Sequence, residues 1–471
     1  METIREYLNE SMVGIVAPAG YGKTEEIADA VNSCSEKQLI LTHTRVGVAA
    51  LRNRMRKKQI RNEKYEIDTI ASFCMKWCKA YPATAKIQIP DKISEIDYLA
   101  IYKGTKKLFS YKWAREVLRQ TYSGLFVDEY QDCTESQHAI FMELENLFPV
   151  RVFGDPLQGI FYWVKGDKIV NWNLFTFKVI TPLTTPRRWE KTNKNLGLLL
   201  DNLRKKIITA LDGNDVTINI ADVRGCMTIL NSTQWDNGRF AYRIKNYEEV
   251  VYLSAFPKKQ KSFSQHNGGF FQCDEVKDLA EAETIIEGIE AERNEKKALV
   301  LLETLKTMIN GIQAELGSYI NNLKKGKSNF SRISKHKDLG QLIEAVCADD
   351  TPKSVLEVLR WFWKSTEFKI YRAELFYRIG KIYAYMTEEH TTLHETIEAL
   401  SCQQYFTEKR FSFSHLSSRT VLTKGLEFDC VIIDARDKMD VRDFYVAMTR
   451  AKKHIYIISD VSQLSFKGIH Y

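Results

Sequence analysis

The sequence predicts an α/β protein built on parallel sheets and carrying helical insertions. Three observations predict this class. Short apolar runs at Val13-Gly14-Ile15-Val16, Gly124-Leu125-Phe126-Val127 and Val150-Arg151-Val152-Phe153 each lead straight into a polar loop. That is how buried parallel strands present ligand-binding loops at their carboxyl ends. The first run is followed by a glycine-rich loop and then a helical pattern from Glu25 to Val31. Between residues 280 and 385, apolar residues recur at three- and four-residue steps (Ile285, Ile289, Leu299, Leu302, Leu305, Ile309, Ile312), the stripe of amphipathic helices.

Size and composition agree. A chain of 471 residues predicts two to four domains. Hydrophobic residues at 44% and charged residues at 27% are the balance of a globular protein. No apolar run reaches the roughly 18–20 residues needed to span a membrane, and the N-terminus lacks the basic-then-apolar layout of a signal peptide. The nine cysteines form no CxxC pair, which argues against a disulfide framework or zinc site and for the reducing cytoplasm. Cys74 and Cys78, four apart on a predicted helix, read as buried thiols in preference to a metal pair. Lys and Arg outnumber Asp and Glu by 68 to 60, a charge of +8 that suits a polyanionic partner.

The loop after the first strand is Ala17-Pro18-Ala19-Gly20-Tyr21-Gly22-Lys23-Thr24. A buried strand, a glycine loop ending in Gly-Lys-Thr and a helix make a phosphate-binding loop. Glycines let backbone N–H groups wrap the phosphates, and the helix N-terminus points its positive end at the same anion. Lys23 is assigned to the β- and γ-phosphates of ATP and the Thr24 hydroxyl to Mg²⁺. Ala17 stands where the motif usually has its first glycine, a position open to a small residue if the backbone there is not left-handed.

The second strand ends in Asp128-Glu129-Tyr130-Gln131-Asp132. Metal-dependent hydrolysis needs such a pair, one carboxylate for the metal and one to take a proton from the attacking water. Asp128 is assigned to Mg²⁺ and Glu129 to the base. The third strand ends in Gly154-Asp155-Pro156-Leu157-Gln158, where Gln158 is placed to sense the γ-phosphate or hold the water.

Taken in chain order, these motifs resemble those of the UvrD/Rep-type superfamily 1 helicases. Ala17 to Thr24 resembles motif I, Asp128 to Asp132 motif II, and Gly154 to Gln158 motif III. Leu41-Thr42-His43-Thr44-Arg45 is similar to motif Ia, and Thr69-Ile70-Ala71-Ser72-Phe73 to the strand-contacting motif after it. Arg188 occupies the place of the motif IV arginine, Lys424-Gly425-Leu426-Glu427-Phe428-Asp429 resembles motif V, and Tyr445-Val446-Ala447-Met448-Thr449-Arg450-Ala451 resembles motif VI. The resemblance implies two RecA-like domains, with Arg450 as arginine finger, Arg188 as a second cation on the same phosphate, and Glu427 bridging nucleotide and strand. It also implies single-strand contacts by Thr42, His43, Thr44, Thr69 and Phe73, with Trp163 as a base-stacking platform.

Four departures qualify the resemblance. No glutamine motif is recognisable before Val13, the Thr-x-His of motif V is not seen, the stretch between Phe73 and Asp128 is short, and little sequence follows motif VI. The expected organisation is a first RecA-like domain over 1–182 with a small helical insertion near 80–120. A second RecA-like domain is expected over 183–275 and 406–471, with a helical regulatory insertion over 276–405. The resemblance implies an ATP-driven translocase or helicase on single-stranded DNA or strand/duplex junctions, moving 3′ to 5′, without a membrane partner. The alternatives are an ATP-gated DNA sensor or accessory subunit working with a partner such as a nuclease, and an enzyme directed at RNA.

Overall fold

The computed structural model describes residues 2–89, 97–160, 166–172, 177–219, 227–232, 234, 237–274, 279–407 and 413–469. The chain forms two compact units, Met1–Asn231 with Thr423–Tyr471, and Ser232–Leu422.

The first unit is organised by a parallel sheet of β1 (Met12–Val16), β2 (Gln38–Thr42), β3 (Tyr65–Thr69), β4 (Gly124–Val127), β5 (Val150–Gly154) and β6 (Lys178–Ile180). Their spatial order is β3-β2-β4-β5-β1-β6. Strands β1, β2, β4 and β5 are mainly apolar and buried nearly throughout, with Gln38, Thr42 and Arg151 as buried polar exceptions, as expected of a parallel sheet covered by helices on each side. In the register β1 and β5 run level, Val13 beside Arg151 and Val16 beside Gly154, so their loops leave at the same height. Because β4, β5 and β1 are neighbours, the three motifs that follow them in sequence emerge side by side.

Helix starts in this unit are set by local chemistry. The Thr44 and Thr69 hydroxyls accept from Gly47 N and Ser72 N, capping helices Arg45–Lys57 and Ile70–Ala80. Thr134 and Gln137 form a reciprocal capping box at helix Glu135–Glu145. The excursion expected near 80–120 consists of the helical turn Pro82–Ala85 and helices Tyr98–Phe109 and Lys112–Thr121. The same unit holds a second parallel set, in which Ala451–Ile458 lies between Phe428–Asp434 and Met227–Leu230.

The second unit has three short parallel strands, with His415–Ser418 between Val250–Leu253 and Gln272–Cys273. Apart from a two-residue antiparallel pair, Ile309–Asn310 with Lys369–Ile370, its remaining regular elements are helices. The apolar stripe read from Ile285 to Ile312 is divided among helices Ala280–Glu290, Asn294–Leu305 and Ile312–Lys324, the last beginning after Gly311 at φ 92°, while Ile309 falls in the short strand between the second and third. These helices share one core with Lys337–Ala348, Pro352–Lys364 and Ala373–Glu388, centred on Leu302, Leu316, Phe362 and Tyr383. These parallel strands alternate with helices along the chain, the α/β class with parallel sheets expected from the sequence. No described helix is long and apolar enough to cross a membrane.

Candidate active site

The site is built where β1, β4 and β5 end. Gly20 and Gly22 hold the left-handed turns of the phosphate-binding loop, at φ 77° and 91°, and Gly22 caps helix Lys23–Ser33. Ala17 is absent from the left-handed residues, so the alanine is tolerated where the motif usually has glycine. Its N–H donates to Gly154 O at 2.9 Å, extending the β1–β5 ladder into the loop. A Cβ on Gly20 would stand 2.7 Å from the Trp189 ring, and Arg188 N donates to Gly20 O at 2.9 Å, so the segment after β6 braces the loop.

The Lys23 ammonium is buried, 3.4 Å from Ala17 O and 4.0 Å from Glu129 Oε2. Asp128 is buried at the end of β4, and its carboxylate accepts from Glu129 N at 2.9 Å. Glu129 is left-handed at φ 55°, a conformation that costs a non-glycine residue of order 1–3 kcal/mol and tends to be held at functional sites. Burial, with Glu129 beside it, pushes the Asp128 carboxyl above its ordinary range. Burial would raise Glu129 too, but Lys23 and Lys424 outweigh it and hold that carboxyl low and ionised. The Thr24 hydroxyl, in the first turn of the helix, and the Asp128 carboxylate are oxygen donors of the kind that could hold Mg²⁺ alongside phosphate oxygens and water.

Asp155, fully buried after β5, is the hub. Its carboxylate accepts from Ala19 N of the phosphate loop at 3.2 Å, Gln158 Nε2 at 3.1 Å, Arg204 Nη2 at 2.7 Å and the Tyr445 hydroxyl at 3.1 Å. Gln158 Oε1 in turn accepts from Arg450 Nη2 at 3.3 Å. Arg450 is buried and also donates to Val446 O at 3.0 Å and Leu426 O at 3.3 Å. Burial and the neighbouring Arg188 lower it to about 10, which leaves it cationic at neutral pH. Arg188 donates to Glu427 Oε1 at 2.7 Å and to the Thr449 carbonyl.

Sequence reasoning missed four participants. Lys424 pairs with Asp132 and donates to Gln158 O at 2.6 Å. Arg204 and Tyr445 hold Asp155, and Asp201 accepts from the Tyr21 hydroxyl at 2.7 Å. Lys424 and Tyr445 stood inside motifs already read. Arg204 and Asp201 lie on helix Lys194–Ile207, whose basic end reads as a solvated face and carries no signal.

The expected strand-contacting residues are placed differently from one another. His43 lies within 3.2 Å of Cys133 Sγ, and desolvation followed by Lys424 pushes its imidazole down to about 4, so it is neutral near pH 7. Thr44 is exposed and Thr69 half-buried, each serving as a helix cap. Two of the residues sit deeper than the others. Phe73 presents no free face, because it shares its helix face with Ile70, Cys74 and Cys78 and its ring is buried 6.1 Å from Phe109. Thr42 is also buried, and its hydroxyl has no hydrogen-bond partner among the described residues. Trp163 lies outside the described residues. Cys74 and Cys78 are buried free thiols, with Cys78 Sγ 3.4 Å from Thr105 Oγ1.

Comparison with known proteins places this geometry. Residues 1–162 match the family model of an AAA domain, and residues 422–458 match that of a UvrD-like helicase C-terminal domain. The Gabija protein GajB of Bacillus cereus is 23% identical over 396 residues, covering 78% of this chain and 72% of that protein. Among solved structures, the arterivirus nonstructural protein 10 helicase with DNA aligns with 97% of this chain and 63% of its own, at TM-score 0.37 and 9% identity. The Bacteroides Pif1 helicase with ADP-AlF3 and single-stranded DNA covers 56% of this chain and 55% of its own, at TM-score 0.29 and 13% identity. This chain thus spans less than two thirds of the length of the solved helicases it matches. The first matched model spans the loops of β1, β4 and β5 and the second spans Glu427 and Arg450, so at both ends of the site the chain is similar to the UvrD-like helicases.

Proposed function

We propose that the chain is a nucleic-acid-stimulated ATPase that translocates 3′ to 5′ on single-stranded DNA and opens strand/duplex junctions. The observation that carries this reading is one connected set of charges. Lys23 stands 4.0 Å from Glu129, and Arg450 reaches Gln158, which shares Asp155 with the phosphate loop. In this reading Lys23 and the loop N–H groups hold the ATP phosphates. Mg²⁺, held by Thr24 and Asp128, neutralises phosphate charge when bound. Glu129 takes the proton of the attacking water, which Gln158 orients. Arg450 and Arg188 oppose the charge that develops on the transferred phosphoryl group.

The domain reading proposed is the one set out from the sequence, RecA-like domains over 1–182 and over 183–275 with 406–471, and a regulatory insertion over 276–405. Strand contacts are assigned to Thr42, His43, Thr44, Thr69, Phe73 and Trp163. The described cysteines are free thiols, which fits the cytoplasm. A second reading, an ATP-gated sensor or accessory subunit working with a partner such as a nuclease, is favoured by the short excursion of helices between Pro82 and Thr121.

The test is steady-state ATP hydrolysis with and without single-stranded DNA, with Lys23→Ala as the blank. Strong stimulation, followed by directional unwinding that Lys23→Ala lacks, supports the motor. Turnover unaffected by any strand, DNA or RNA, overturns it and leaves the sensor.

A further inference from the structure

Helix Lys194–Ile207 carries none of the nucleotide-binding loops, yet it holds two of them with one face. Asn193 caps the helix by accepting from Leu196 N at 3.1 Å, and its amide donates to Lys453 O at 2.8 Å. Just upstream, Trp189 Nε1 donates to Ala451 O at 2.7 Å, so the segment is pinned to the strand that follows Arg450. Asp201 and Arg204 are three residues apart and share a side of the helix. The Tyr21 hydroxyl of the phosphate loop donates to Asp201 at 2.7 Å. Arg204 Nη2 donates to Asp155 Oδ1, after β5, at 2.7 Å.

The Arg204–Asp155 pair is buried on both sides. Replacing such a pair by apolar side chains is often neutral or stabilising, so stability alone does not account for it. Burial works against the Arg204 cation, and Asp155 outweighs it. The two oxygens of Asp155 have separate partners. Oδ1 accepts from Arg204 and from Leu157 N at 3.3 Å. Oδ2 accepts from Ala19 N, Gln158 Nε2 and the Tyr445 hydroxyl. Arg204 also stands over the Tyr445 ring, with Cζ 5.8 Å from its centroid. Anchoring Oδ1 therefore fixes the rotation of the carboxylate and turns Oδ2 toward the phosphate loop and Gln158. Because Gln158 Nε2 is committed to Oδ2, Oε1 is the end that meets Arg450 Nη2 at 3.3 Å. A reversed amide would set N–H donors against a guanidinium that has no acceptor to offer.

We infer that Arg204 is a positioning residue for ATP hydrolysis: by anchoring Asp155 Oδ1 it holds the Gln158 amide with its oxygen toward Arg450 and the attacking water. The inference rests on the reading of the chain as an ATPase in which Gln158 orients that water. An amide oxygen accepts one proton of the water while Glu129 takes the other, which leaves a lone pair for phosphorus. An amide N–H in the same place would occupy that lone pair instead. Arg204 touches neither nucleotide nor water in this mechanism, so its effect passes through Asp155.

The test is steady-state ATP hydrolysis by the full chain at saturating oligothymidylate, with kcat and KM separated. Arg204→Met should lower kcat by about 10²-fold while KM changes by less than about threefold, because Lys23 and the loop N–H groups are untouched. In a Gln158→Ala chain the same substitution should cost less than about threefold more, since both act on one water. Arg204→Lys should recover most of kcat, because a single Nη2 contact joins Arg204 to the carboxylate. Unchanged kcat in Arg204→Met, no recovery in Arg204→Lys, or a loss that multiplies with that of Gln158→Ala overturns the inference while the ATPase reading stands. Thermal unfolding follows each variant. If Arg204→Met does not fold, Arg204→Gln is read in the same way, and failure of both to fold makes Arg204 a structural residue and overturns the inference. Wild-type turnover in Gln158→Ala removes the water assignment and the inference with it. A wild-type chain that hydrolyses no ATP overturns the ATPase reading itself.

Discussion

The loops after β1, β4 and β5 enclose Lys23, Asp128, Asp132, Asp155 and Gln158, whereas the helices from Ala280 to Glu388 enclose leucine, isoleucine, valine and aromatic rings. Both regions are buried, but they spend burial on different ends. Desolvating a charge costs several kcal/mol unless it is paired, so the charges of the first region cluster into shared contacts such as the five donors on Asp155. In the helical region Lys297 is a fully buried cation, and it reaches Glu290 at 2.8 Å and Asp350 at 3.0 Å, both of which keep contact with water. Buried charge concentrated beside left-handed backbone marks the region that does chemistry; an apolar helical core marks the region that holds shape.

Substitutions sharpen this contrast. Lys23→Ala should abolish turnover in a steady-state ATPase assay. Glu129→Gln should do the same yet still bind a fluorescent nucleotide analogue, and turnover retained in both would remove the assignment. Arg450→Ala should reduce the hydrolysis rate by about 10³-fold or more. A drop of less than tenfold would make Arg450 a structural clamp for Val446 O and Leu426 O.

On the helical side the measurement is denaturant unfolding. Phe362→Ala empties part of the core and should cost about 3–5 kcal/mol, with turnover per folded molecule preserved. Lys297→Met should cost less, about 1–2 kcal/mol, because Glu290 and Asp350 can return to water. A loss as large as that of Phe362→Ala would show that the ion pairs carry the helical core. Arg360→Ala, which removes an exposed pair with Glu357, should change stability by no more than about 0.5 kcal/mol.

The phosphate loop was legible because its chemistry is local. Strand, glycines, lysine and helix follow one another in eight residues, and Gly20 and Gly22 adopt the left-handed turns the spacing requires. The acidic pair was legible for the same reason. The burial of Phe73 was not, because a residue in such a motif still faces wherever its helix packs, and Ile70, Cys74 and Cys78 draw that face into the core. Arg204 was hidden for a related reason: a lone arginine among lysines looks solvated until helix Lys194–Ile207 is laid against Asp155.

The sequence by itself determined the order of apolar strands and polar loops, the residue types at each loop, and the amphipathic stripes of the helices, since all depend on neighbours within a few positions. Only the tertiary structure decided which distant side chains share a carboxylate. Tyr445 meets Asp155 and Lys424 meets Asp132 across nearly three hundred residues of chain. Those pairings arise from packing the strands Phe428–Asp434 and Ala451–Ile458 in the same unit as β5, and hydrogen bonds of a few ångströms cannot be read from separation along the chain.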